Sequence, residues 1–71
     1  MTGMRYAIII ERAGSNYSAY SPDMPGVVAV GDTPEECRDD MREGMAAVLA
    51  ALAREGKAAP EPRTIVEHVE V

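Results

Sequence analysis

The side chains best suited to chemistry in this 71-residue chain are Glu11, Glu36, Glu67 and Glu70, with Cys37 and His68. Carboxylates that hold two divalent ions are the equipment of a metal-dependent nuclease. Glu11 and Glu67 could approach each other if the first and last strands are neighbours. Against this reading, the first strand carries no aspartate, and Glu36 sits where a helix start uses a glutamate. A thiol in a first helical turn, such as Cys37, can have a lowered pKa. Cys37 also falls on an apolar helical stripe, where it reads as a buried small hydrophobe. His68 is the only histidine, so no Cys/His zinc cluster is available. It reads as a solvated or interface position on a strand. The expectation is a non-enzyme with no catalytic residues, no metal site and no cofactor.

Charge narrows the partners. Twelve acidic residues face seven basic ones, for a net charge of −5. Nucleic-acid binders usually concentrate bases in a patch, and this chain has few to concentrate. A small acidic protein fits a basic protein partner better. No stretch approaches the ~20 apolar residues of a membrane span. The apolar run Tyr6–Ile10 is too short for a signal-peptide core and lacks a cleavage site. One unpaired cysteine suits a reducing compartment, so a cytoplasmic location is expected. Met4 offers a second start, which makes the first three residues dispensable in this reading.

Positioning these residues requires four strands and one helix. Met4–Glu11 alternates Met4, Tyr6, Ile8 and Ile10 against Arg5, Ala7, Ile9 and Glu11, a strand with isoleucine on both faces. Ala13-Gly14-Ser15-Asn16 is a turn, and Tyr17–Ser21 returns as the second strand. Pro25-Gly26 fits the centre of a type II turn, with proline setting φ and glycine taking positive φ. Val27–Val30 is a third strand, stopped by Gly31. Thr33, Pro34 and Glu36 then form a capping box with proline at the first helical position. Cys37, Met41, Met45, Val48, Leu49 and Leu52 make one helical stripe, and Gly56 suits the position just past the helix end. The helix is therefore expected over Pro34–Glu55. An extended connector through Pro60 and Pro62 leads to a fourth strand, Thr64–Val71.

The expected fold class is α+β, in the order β-β-β-α-β. It has two layers, a sheet of order 3-2-1-4, and one helix on one face. A right-handed crossover brings the last strand beside the first, in parallel. One helix covers one sheet face, and with no disulfide to support so small a core a homo-oligomer, dimer or tetramer, is expected. Ile9, Val66 and His68 are its candidate interface residues. Ala46, Ala47, Ala50, Ala51 and Ala53 suit either helix propensity or the close approach of a second subunit.

The ordered set Tyr17-Ser-Ala19-Tyr-Ser-Pro22-Asp23-Met-Pro25-Gly26, followed by Gly31-Asp32-Thr33-Pro-Glu-Glu36, resembles the HicB family of type II antitoxins. Members show Tyr-x-Ala-x-x-Pro-Asp-Leu-Pro-Gly, and Gly-Asp-Thr-x-Glu-Glu-Ala opens their helix. Met24 and Cys37 replace the usual leucine and alanine, and Val27 stands where many members have cysteine. The ending Leu52-Ala-Arg-Glu-Gly56, with Pro60 and Pro62, also fits, so the likeness runs from about Met4 to Val71. The resemblance implies a single domain over 1–71 with a truncated ribonuclease H-like fold. It also implies a small basic RNA-cleaving toxin of the HicA type as partner, masked at its catalytic histidine. The stretch to Val71 matches the antitoxin core without the DNA-binding domain of many members, so direct binding of nucleic acid is not expected. Pro22, Asp23, Pro25 and Gly26 stand as a partner loop or as a turn in which Asp23 bonds its own backbone. Asp32 and Thr33 read as helix-start chemistry. The alternative function is a solitary homo-oligomeric domain without a toxin, binding a small molecule or another protein.

Overall fold

β-Branched residues and a two-residue turn build the first hairpin. In the computed structural model, which describes residues 4–71, β1 (Ile9–Ala13) pairs antiparallel with β2 (Asn16–Tyr20), Ile9 opposite Tyr20. The loop Gly14-Ser15 has positive φ, 69°, only at its glycine, as a type II′ hairpin requires. β3 (Val28–Gly31) adds to the other side of β2, giving a three-stranded sheet of order β1-β2-β3. The first strand starts at Ile9, later than the expected Met4. Its partner strand ends at Tyr20, and Ser21 turns the chain by accepting the Met24 amide at 3.3 Å. Residues before Ile9 therefore have no strand opposite them. The expectation for the first three residues lies outside the described residues.

The helix α1 (Pro34–Arg54) crosses one face of this sheet. Its stripe is the expected one: Cys37, Met41 and Met45 are buried, and Val48 and Leu49 pack beside them. From the sheet, Ala19 and Ala29 meet the helix, with Ile8, Ile10 and Tyr17 around them. The helix thus takes the even set of the first strand and leaves Ile9 on the opposite face. On that face Tyr20, Val28 and Val30 are exposed. Cross-strand partners share a face, so Ile9, Tyr20 and Val28 form one open row.

The expected fourth strand is not part of the sheet. Among the described residues Thr64–Val71 forms an exposed arm with no strand pairing. Its root is held at the loop between β2 and β3, whereas the seat predicted for it is the outer edge of β1, on the far side of β2. The expected neighbourhood of Glu11 and Glu67 depended on that seat and goes with it. The whole chain exposes 5599 Å². A compact monomer of 7.6 kDa should expose about 4,300 Å². The radius of gyration, 13.4 Å, likewise exceeds the ~11 Å of a compact chain of this length.

Candidate functional site

The loop Ser21–Val27 is pinned from inside. Met24 is 2% exposed and belongs to the core, and buried Ser21 donates its hydroxyl to the Ala7 carbonyl at 2.8 Å. Gly26 has φ 96°, the positive value expected for the turn after Pro25. Pro22, Pro25 and Gly26 stay exposed at the tip.

Asp23 points to a distant segment. One carboxylate oxygen accepts the backbone amides of Arg63 (3.1 Å) and Thr64 (3.0 Å), and the other accepts the Thr64 hydroxyl at 2.9 Å. These bonds, the Thr64 amide first, hold the carboxyl below its ordinary pKa, against a smaller opposing effect of desolvation. The local bond expected for this aspartate is therefore replaced by a clamp spanning 41 residues. A second tie lies nearby, where the Tyr6 hydroxyl donates to the Pro60 carbonyl at 2.7 Å. Together they lead the connector across the end of the sheet and set where the arm begins. Neither tie had a local sequence signal, because both partners lie far apart in the chain.

The helix start matches its expected chemistry with one shift. The Glu36 amide donates to Thr33 Oγ1 at 3.1 Å, as a capping box requires. The Glu36 carboxylate accepts from the Asp32 amide at 2.8 Å, one residue before the cap. Gly31 lies so close that a Cβ there would stand 2.9 Å from Glu36 Cβ and 3.2 Å from the Cys37 amide nitrogen. Gly31, Asp32, Thr33 and Glu36 are thus engaged in starting the helix.

Other singled-out residues separate. Tyr17 lies half-buried in β2 with the Arg12 guanidinium 5.5 Å from its ring centroid and donating to its hydroxyl at 3.2 Å. Ala19 is core. Cys37 is fully buried, its thiol donating to the Tyr17 carbonyl at 3.4 Å. Ile9 belongs to the sheet, whereas Val66 and His68 lie exposed on the arm with Glu67 and Glu70. Glu11 is exposed on β1. Among the described residues no three His, Cys, Asp or Glu side chains assemble into a possible metal site. No helix there is long and apolar enough to cross a membrane.

Two surfaces remain for recognition. The first half of the helix exposes Glu35, Asp39, Asp40 and Glu43 beside Arg38 and Arg42, which both pair with Asp39, so the stretch stays net acidic. An open groove of about 620 Å³ runs between the helix and the segment from Met4 to Ile10, which leads into β1. Ile8, Ile10, Met41, Met45 and Leu49 make its apolar lining, and exposed Arg5, Arg38 and Arg42 flank it. The groove was not anticipated, because the fourth strand was expected to fill it.

A small α+β domain whose polar residues hold loops and helix ends, and whose open surfaces are an acidic face and an apolar groove, is equipped to bind other chains. A family model described as a HicB-like antitoxin of a bacterial toxin–antitoxin system matches residues 6–71. The chain belongs to that family of antitoxins. No curated protein and no solved structure gives a significant match.

Proposed function

We propose that this protein is a non-enzymatic antitoxin core, a single domain over 1–71 that binds and masks a small basic RNA-cleaving toxin of the HicA type. The observation that carries the proposal is the family match over 6–71. The acidic first half of the helix supports it, because complementary charge steers association and selects partners. The exposed tip Pro22, Pro25 and Gly26 adjoins the clamp and supplies a second contact. The protein acts in the cytoplasm, where its toxin's RNA substrate lies, and works as a homo-oligomer. An overall ribonuclease H-like outline would follow once a fourth strand joins the sheet.

The test begins with the neighbouring reading frames. A small basic protein encoded next door, co-expressed with this chain, should co-purify with it and lose RNA cleavage in the complex. Weakening of the complex by Asp40→Lys/Glu43→Lys places the contact on the acidic face. A neighbour that cleaves RNA equally well with and without the chain overturns the antitoxin reading. Purified alone with Mg²⁺ or Mn²⁺, the chain should leave RNA and RNA–DNA hybrids intact. Cleavage abolished by Glu11→Gln or Glu67→Gln would overturn the non-enzyme part.

A further inference from the structure

The arm and the groove each lack what the other carries. The arm Thr64–Val71 exposes Ile65, Val66, Val69 and Val71, with Ile65 and Val69 at 80% and 84% exposure. A monomer holding four such side chains in water forgoes burial that small domains need. The groove is an apolar trough beside the segment from Met4 to Ile10, which leads into β1, a strand with no partner on that side among the described residues. An extended segment adding to such an edge gains main-chain hydrogen bonds as well as side-chain burial. Its own arm is not seated there: Asp23 of the β2–β3 loop holds the arm root, and Tyr6, which itself lines the groove, holds the connector at Pro60.

Charge points to the same pairing. In a chain with only seven basic residues, three of them, Arg5, Arg38 and Arg42, flank this one groove. Arg38 and Arg42 share a single carboxylate, Asp39, each at 3.5 Å, so the flank keeps positive charge. The arm supplies Glu67 on the same strand face as Ile65, Val69 and Val71. A basic toxin would be repelled from this groove, whereas an acidic apolar strand fits it. The area agrees as well. The chain's exposure of 5599 Å² is about 1,300 Å² above that of a compact monomer. A stable dimer buries roughly 800 Å² per partner.

We infer that two copies exchange arms: Thr64–Val71 of each chain lies in the groove between α1 and the segment leading into β1 of the other, beside the β1 edge, completing the sheet with a fourth strand. The inference deepens the self-association put forward above and is independent of the toxin. Its test is a charge swap read by sedimentation equilibrium and native mass spectrometry on the full chain. Wild type should have twice the monomer mass. Arg38→Glu/Arg42→Glu reverses the groove, and Glu67→Arg, on the strand face that carries Ile65, Val69 and Val71, reverses the arm. All three residues are exposed, so circular dichroism should stay unchanged. Each variant alone should dissociate at least about tenfold more readily, since like charges now face each other. Mixed together, they should form a 1:1 heterodimer as tight as wild type, because every arm then meets a groove of opposite charge. If each arm folds into its own groove, mixing restores nothing and the exchange is wrong. Dimers indifferent to both reversals would overturn the exchange while leaving self-association standing. Wild type at monomer mass at roughly 100 μM would overturn both. Toxin inhibition, measured separately, is untouched by any of these results.

Discussion

Asp23 shows how one side chain can tie together segments with no local relation. Folding lowers its pKa, so the folded chain binds that proton less readily than the unfolded one. The clamp is fully stabilising above the ordinary value of 3.8 and is lost as pH falls through the lower folded value. In an NMR pH titration, the Arg63 and Thr64 amides should shift together with a midpoint below 3.8. Asp23→Ala should speed hydrogen exchange at both amides and leave the β1–β2 hairpin protected. Unchanged exchange at Thr64 would show that the arm root is held by something else. At Gly26 the expected backbone is the observed one, φ 96° with open space around an added Cβ. The cost of Gly26→Val is therefore backbone strain alone, about 1–2 kcal/mol, and the urea midpoint should fall accordingly. A midpoint equal to wild type would contradict that turn geometry.

Elements divide according to where their instructions lie. The helix is written locally at both ends. Thr33, Pro34 and Glu36 start it, and Gly56 (φ 70°) ends it, with Gly56 donating to Ala53 and Lys57 to Leu52 in a Schellman motif. Thr33→Ala should cost about 1 kcal/mol in chemical denaturation, the usual value of a lost N-cap. Gly31→Ala should cost at least as much, because the new methyl collides with Glu36 Cβ at 2.9 Å. If Gly31→Ala is neutral, the cap relaxes more freely than this packing implies. Both hairpin turns were legible for the same local reason, through glycine and proline. The strand ends were less so, since a strand stops where its partner does. Ile9 starts β1 because Tyr20 ends β2, and the alternation beginning at Met4 carries no trace of that.

For the whole molecule, the unmet demand is burial. The open row Ile9, Tyr20 and Val28, the groove and the arm together leave the monomer with more apolar surface than a chain this small can spare. Dissociation should therefore be coupled to unfolding. The thermal midpoint should rise steadily with protein concentration between about 5 and 500 μM. A midpoint independent of concentration over that range would mean that the monomer is stable as it stands.

The sequence by itself determined the helix, its buried stripe, the two turns, the α+β class and the antitoxin family. Each is carried by near neighbours in the chain: a cap three residues from its partner, an apolar repeat of three and four, an ordered motif. Periodicity led to the expectation of a strand over Thr64–Val71, which the structure instead leaves as an exposed arm with no strand pairing. Only the tertiary structure decided which face of β1 met the helix, since isoleucine stands on both, and where the last segment went. That destination depends on Asp23 reaching Arg63 and Thr64, and on Tyr6 reaching Pro60, contacts between residues 40 or more apart. Strand propensity says that a segment can pair. Where its root is held bears on whether and with what it pairs, and among the described residues the arm pairs with no strand.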